Sequence, residues 1–496
     1  MIWKQVVKYV PVNVAALVIS FGTIAILTRI LSGAEFGRYA LAIATMHFMH
    51  MATFTWVEAA MARFYARAER EEDMASHLKT LYISGIIMSA LGLGGFMALV
   101  FALPLEPLMK TLIGFALTST CFTLIYNLGM EAHRAGHRIG RYSAIHSSQS
   151  LIGFVIGISL IMLTPLREQA PFIGIIIANI VALAIDLPFM LKRMKGGKVE
   201  SARTKTYFLY GLPISISLML AYMLSQGDLF IIKYIFRQTP EAADILVGQY
   251  NAGYNLANRT LDMVFIWVGM AVTPIIVTAL EQEGAEKAKA IMKNYGATLL
   301  LLVMPASIGI ALVAEPAGFI LGESVRAEAV KIMPWIAIAG LMNGLISYYV
   351  QRAFMLSKNT GVLAMTLVPP VIVNISLNFI LIPKYGIMGA VWATLAAYSI
   401  GLVLSFIVAR RYFPLPVPVK AFLQTSFACA VMAGIVLALP IPENTPDIIE
   451  LIVKGSVGGA VYVLVAFATN TANCRDLVKD LLGKLKARKA DKLAEA

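Results

Sequence analysis

Charge is scarce in this chain. Asp, Glu, Lys and Arg together make up 14% of its 496 residues, against 59% apolar residues and a mean hydropathy of +0.76. That is too little polar surface for a water-soluble protein of this length. Cysteine is nearly absent: Cys121 and Cys429 fall in apolar runs and Cys474 in the C-terminal tail, which leaves no disulfide framework and no cysteine-based metal cluster. Long polar segments are missing as well. The longest internal one, 192–207, is too short to hold a soluble catalytic module. What remains is a succession of apolar runs, the pattern of an all-α polytopic membrane protein.

A helix needs about 20 apolar residues to cross the hydrocarbon. By that measure spans are expected near 10–31, 38–62, 78–103, 107–130, 143–164 and 171–191. A second set falls near 208–232, 248–280, 295–318, 330–355, 361–382, 386–409, 420–439 and 449–470, fourteen spans in all. The N-terminus is basic and leads into an apolar run longer than a signal-peptide core, with no small-residue cleavage site after it. Residues 1–9 are therefore expected in the interface and 10–31 as a retained first span. The net charge of +13 could indicate nucleic-acid binding, but most of the 41 lysines and arginines fall in alternate loops and in the tail. That bias places both termini in the cytoplasm and makes the basic balance a matter of topology. The partner it implies is a lipid bilayer, with no nucleic acid. The tail, 474–496, sets Leu477, Leu481, Leu482 and Leu485 among lysines. It fits an amphipathic helix on an anionic leaflet or a solvated charged tail equally well.

Two echoes point to internal duplication. Phe36-Gly37-Arg38-Tyr39-Ala40 matches Val247-Gly248-Gln249-Tyr250-Asn251 at an offset of 211 residues. Phe172-Ile173-Gly174 with Ala178 matches Ile387-Met388-Gly389 with Ala393 at an offset of 215. An even number of spans separates the matched segments, so the halves are parallel repeats related by an axis along the membrane normal. The expected organisation is a six-helix bundle over 1–191, a basic cytoplasmic linker over 192–207 and a second six-helix bundle over 208–410. Two further helices follow over 420–470, and then the tail.

ILTRILSGAEFGRYALA (26–42), GDLFIIKYIFRQTPEAADILVGQYNAGYNLANR (227–259) and NISLNFILIPKYGIMGAVWATLAAY (374–398) resemble the recurring segments of bacterial polysaccharide flippases. These are lipid-linked oligosaccharide exporters of the multidrug/oligosaccharidyl-lipid/polysaccharide superfamily. The resemblance implies two six-helix bundles working by alternating access in a bacterial inner membrane. It implies as substrate an undecaprenyl-pyrophosphate-linked oligosaccharide, moved to the periplasmic leaflet for O-antigen, capsule or exopolysaccharide synthesis, with polysaccharide polymerase machinery as a further partner. No catalytic residue, metal or cofactor is implied; coupling to a proton or sodium gradient is left open.

The residues that could carry transport lie on the helix expected over 248–280. Asn251, Asn255 and Arg259 are spaced by four, and Asn258 and Asp262 form an adjacent four-spaced pair, so all five are expected to project to one side. A cation within a span costs about 3 kcal/mol on insertion scales and is functional by default. Arg259 would attract a pyrophosphate or an acidic sugar; its structural alternative is a locking pair with Asp262 or Asp228. The repeat register sets His47 opposite Asn258, with His50 one turn on, as titratable cations or as packing residues. Asp262, Asp228, Glu58 and Asp186 are the acids that could take up a coupling ion, and spacing does not separate them. Tyr250, Tyr254, Tyr348 and Tyr349 are expected in the interfacial belt, and Asn374 and Asn378 in interhelical hydrogen bonds. Pro213, Pro274, Pro305, Pro334 and Pro369-Pro370 mark expected kinks.

Three other readings compete. A cation-coupled multidrug antiporter of the same superfamily would carry an acid in the first span, and 10–31 has none. A lipid II flippase would carry cavity arginines there, and only Arg29 is present. A membrane-embedded glycan polymerase or ligase would need a sizeable catalytic outer loop, and the outer loops are short.

Overall fold

The computed structural model of the protein describes residues 2–357 and 359–476. No strand occurs among them. The chain opens with α1 (Ile2–Ile30), α2 (Gly33–Thr53), α3 (Thr55–Arg70), α4 (Met74–Ala102), α5 (Pro107–Ala135), α6 (Ile139–Leu163), α7 (Ala170–Met194) and α8 (Ser201–Ile235). It continues through α9 (Pro240–Gln282), α10 (Ala285–Leu312), the one-turn α11 (Ala314–Ala317), α12 (Glu323–Leu345), α13 (Gln351–Leu356), α14 (Thr360–Tyr385) and α15 (Ile387–Tyr412). Then come α16 (Val419–Leu437) and α17 (Asp447–Ala468). Among the described residues, 11 helices are long and apolar enough to cross a membrane, or 12 with the bent pair α2–α3. The expected count of fourteen is not reached by that measure. The two spans outside it are α9 and α1, whose apolar stretch is Val14–Ile30. Residues 2–9, expected apart from the first span, continue into it as one helix. The amphipathic helix expected in the tail lies, from residue 477 on, outside the described residues.

The chain divides into two compact units. One comprises Met1–Ala252, Ile320–Arg326 and Leu367–Thr394; the other comprises Gly253–Phe319, Ala327–Thr366 and Leu395–Ala496. In the first, α6 packs along α1 and α7, and α5 along α2. Small residues allow the closest crossings: a Cβ on Gly174 of α7 would come within 2.5 Å of the Gly153 carbonyl of α6. Gly389 of α15 meets the Leu381 backbone of α14 in the same way, at 2.4 Å. The two glycines that the repeat pairs at an offset of 211 also touch each other. A Cβ on Gly37 would fall 1.7 Å from the Asp244 carbonyl and 3.0 Å from the Gly248 nitrogen.

Around this crossing lies a polar end. Ser32 and Glu35 form a capping box that starts α2. Arg167 clasps Glu35 at 2.7 and 2.8 Å, and Arg38 donates to Glu168 at 2.7 Å. Asp244, at 0% exposure, accepts from Lys233 at 2.5 Å and stands 3.6 Å from Arg38. At the opposite ends of these helices the stretch 192–207, expected as a loop, is helical at both extremities and pinned between them. There Lys79 donates to the Gly197 carbonyl at 3.0 Å, Lys198 N donates to Ser76 at 3.2 Å, and Arg203 pairs with Asp73.

Pro213, Pro305, Pro334, Pro369 and Pro370 stand inside helices that run on past them. A break of 50° falls at Phe54, where no proline stands. Just before it the Thr53 hydroxyl donates back to the Met49 carbonyl, a bond that competes with the helical ladder and bends it. In the second unit, Leu261, Phe265, Met292, Tyr295, Leu299, Tyr349 and Phe354 form the principal core. Helices α16 and α17 seat Cys429, Met432 and Tyr462 against Leu300 and Met304 of α10, where the Tyr462 hydroxyl donates to the Leu301 carbonyl at 2.5 Å.

Candidate functional site

The polar stripe lies on α9, whose residues through Ala252 belong to the first unit and whose remainder belongs to the second. Four-residue spacing on a helix stacks one side chain over the next, and the Arg259 Nε donates to Asn255 Oδ1 at 3.1 Å. Both side chains are half-buried, and Asp262, one turn on, is exposed. Asn258 departs from the expected common face. A Cβ on Gly340 would come within 2.2 Å of its Oδ1, so its amide is turned onto α12 beside Leu261. Asn251 is buried, at 8% exposure. The pair that spacing brings together is thus Asn255 and Arg259.

The four candidate acids separate by their partners. Glu58 faces His50 at 3.1 Å across the α2–α3 bend and accepts from Asn127 at 2.9 Å. His47, on the same helix as His50, sets its ring edge-on to Tyr222, with centroids 5.9 Å apart. Asp186 accepts from His133 at 2.8 Å and from Arg141 at 2.9 Å. Both of these acids meet a cation or a titratable ring. Asp228 is different. Fully buried at the end of α8, it accepts from Asn378 Nδ2 at 2.6 Å and from the Thr394 hydroxyl at 2.6 Å, and also from the Tyr250 hydroxyl. Asn374 joins the network by donating to Thr394 at 3.3 Å and accepting from Asn378 at 3.1 Å. Every one of these partners is neutral.

Burying a carboxylate in neutral surroundings is costly unless its lone pairs are filled, and here hydroxyls and amides fill them. One oxygen stays unmatched: Asn378 Oδ1 is buried with no hydrogen-bond partner. A buried carboxylate with two hydroxyls and an amide around it offers oxygen ligands of the kind hard cations take. Asn374 and Asn378 do hydrogen-bond between helices, as their shared face predicts. Tyr250 belongs to this cluster and not to an interfacial belt, being 1% exposed. Thr394 carries no signal in the sequence, since a lone threonine in an apolar span is unremarked. Asp244, with Lys233 and Arg38, is a second buried charge cluster that spacing does not announce.

Comparison with known proteins adds the following. A profile of the family described as "Polysaccharide biosynthesis protein" matches residues 2–280. The probable low-salt glycan biosynthesis flippase Agl15 of Haloferax volcanii is 22% identical over 319 residues. That match covers 63% of this chain and 64% of the relative, so the chain spans a little under two thirds of that protein's length. The fold is shared with the lipid II flippase MurJ in its inward closed conformation, at a TM-score of 0.74 and 15% identity over 95% of this chain and 100% of that one. It is shared also with an inward-facing MATE-family multidrug resistance transporter of the MOP superfamily, at a TM-score of 0.63 and 12% identity, covering 79% and 97% of the two chains.

Proposed function

We propose that this chain, which belongs to the polysaccharide biosynthesis protein family, is a flippase of undecaprenyl-pyrophosphate-linked oligosaccharides. It carries repeat units for a surface polysaccharide from the cytoplasmic to the periplasmic leaflet of a bacterial inner membrane. The observation that carries this reading is the Asn255–Arg259 pair, a permanent cation steadied by an amide on a helix of a multi-pass membrane protein. A guanidinium presents a planar fork that matches two phosphate oxygens at once. In this role Arg259 takes the pyrophosphate while Asn255 orients the fork. A translocated anion must also be released, and a single cation holds it without trapping it.

Alternating access needs a closed end that can open. With the N-terminus in the cytoplasm, as the charge bias has it, the cluster of Arg38, Glu168, Asp244 and Lys233 around the Gly37–Gly248 crossing lies on the periplasmic side and serves as that closure. The transporting halves are the bundles 1–191 and 208–410, joined by 192–207, with 420–470 and the tail outside them. Asp228 is the coupling residue: uptake of a proton or sodium ion by its neutral cage changes the charge of the cage that ties α8 and α9 to α14 and α15. Asp262, Glu58 and Asp186 then serve as structural or positioning acids.

Deleting the gene tests the proposal. The expected outcome is lipid-linked repeat units accumulating on the inner leaflet, with their synthesis intact. Normal outward translocation in the deletion strain would sink the idea.

A further inference from the structure

One cluster of charge takes no part in the transport reading. Where α5 turns into α6 and α7 ends, three guanidinium groups surround one ring: the Cζ atoms of Arg141, Arg138 and Arg193 lie 4.4, 5.2 and 6.0 Å from the centre of Phe189. Arg193 also donates to the Tyr65 hydroxyl at 3.0 Å. Asp186 is the carboxylate paired here, and it is held by Arg141 and His133; the neighbouring Arg134 is matched by Glu131 at 2.6 Å. One nitrogen of Arg138 and one of Arg193 are buried without a hydrogen-bond partner. Buried guanidinium nitrogens normally find an acceptor, so an anion's oxygens are the natural complement of this corner.

A groove leads away from it. Between α6 and α7 lies a cavity of about 170 Å³, lined by Ala144, Ser148 and Ile152 on one side and Ala178, Val181 and Ile185 on the other. Arg141 marks one end, its Nη2 donating to the Ile185 carbonyl at 3.4 Å. Ala144 to Ile152 is about 12 Å of helix, the length of a substantial part of an acyl chain. The flanking side chains Leu151, Val155 and Ile185 are 40%, 59% and 60% exposed, as suits a surface against hydrocarbon.

We propose that this corner and groove form a binding site for an anionic phospholipid of the surrounding bilayer, its phosphate among Arg138, Arg141 and Arg193 and an acyl chain between α6 and α7. The charge selects the headgroup class and the narrow apolar groove selects a lipid over a soluble anion. The site stands independently of what the chain transports.

Native mass spectrometry of the full-length protein in detergent tests it, with dioleoyl phosphatidylglycerol, dioleoyl phosphatidylcholine and inorganic phosphate as probes. Each arginine at an anionic lipid surface contributes about a fivefold factor. Wild type is therefore expected to retain phosphatidylglycerol well above phosphatidylcholine, and R138Q/R193Q to lose more than about tenfold of that preference. Because Arg193 also supports Tyr65, a second variant, A144W, fills the groove from an exposed position and leaves the charges in place; it is expected to lose retained phosphatidylglycerol too. Equal retention of the two lipids by wild type, or unchanged preference in both variants, overturns the proposal. Displacement of the lipid by millimolar phosphate with no effect of A144W overturns the choice of occupant in favour of a soluble anion.

Discussion

Replacing Asp228 distinguishes a coupling site from a structural knot. Asp228→Ala removes the acceptor shared by Tyr250, Asn378 and Thr394. Each buried donor left unmatched costs about 1–3 kcal/mol, and the hydroxyls can turn to nearby carbonyls, so the expected loss is about 3–6 kcal/mol. That is enough to depress expression. Asp228→Asn keeps the shape and one acceptor oxygen; it forfeits one charge-assisted hydrogen bond, about 2 kcal/mol, and should yield folded protein. Thermal unfolding in detergent then reads ligand linkage. A cation that binds only the folded state at 100 times its Kd stabilises by about 2.7 kcal/mol. Wild type is expected to melt higher in sodium than in choline, or at lower pH, and Asp228→Asn to show no such rise. The same variant reconstituted in vesicles should flip substrate at a rate indifferent to the gradient. A variant that keeps the full ion-dependent rise, or a wild type that shows none with either ion, refutes the assignment.

Other outcomes follow from the same structure. Arg259→Ala and Arg259→Asp should abolish export at unchanged protein level, while Arg259→Lys keeps part of it because charge remains without the fork; polysaccharide export in a complemented deletion strain is the readout. Gly37→Ala places a Cβ 1.7 Å from the Asp244 carbonyl, a backbone clash worth at least about 3 kcal/mol, whereas Gly95→Ala, with nothing within 4 Å, should be neutral or gain about 0.5–1 kcal/mol; melting midpoints compare the two. Asp244→Ala strands the Lys233 ammonium and should cost about 3–5 kcal/mol, most of it recovered in Asp244→Ala/Lys233→Met. Tyr462→Phe removes one hydrogen bond from α17 to α10 and should lower stability by about 1 kcal/mol without affecting transport.

What could be read from the sequence follows the range of the interactions. Hydropathy locates the helices because crossing a bilayer requires length and apolarity within one segment. Gly37 and Gly248 stand out in the sequence because each is held in close contact with backbone, which tolerates no side chain. Asn255 and Arg259 pair as their spacing predicts, since an i, i+4 contact is local. Asn258, with the same credentials, is drawn to α12 because Gly340, 82 positions along the chain, leaves room for it. Distance along the chain also hides the Asp228 cage: its partners stand 22, 150 and 166 residues away, and no periodicity within α8 encodes them. The bend at Phe54 escapes notice for a different reason. It coincides with a threonine hydroxyl bonding backwards, and threonine in an apolar helix is an ordinary residue until its rotamer is known.

The most direct test of the central claim is reconstitution. Purified protein in sealed vesicles, given a fluorescent polyprenyl-diphosphate oligosaccharide in one leaflet and a membrane-impermeant quencher or lectin outside, should move the label between leaflets far faster than protein-free vesicles do. Arg259→Asp in the same vesicles should return the rate to that of the bare bilayer. Label that stays in its original leaflet with wild-type protein present would contradict the account.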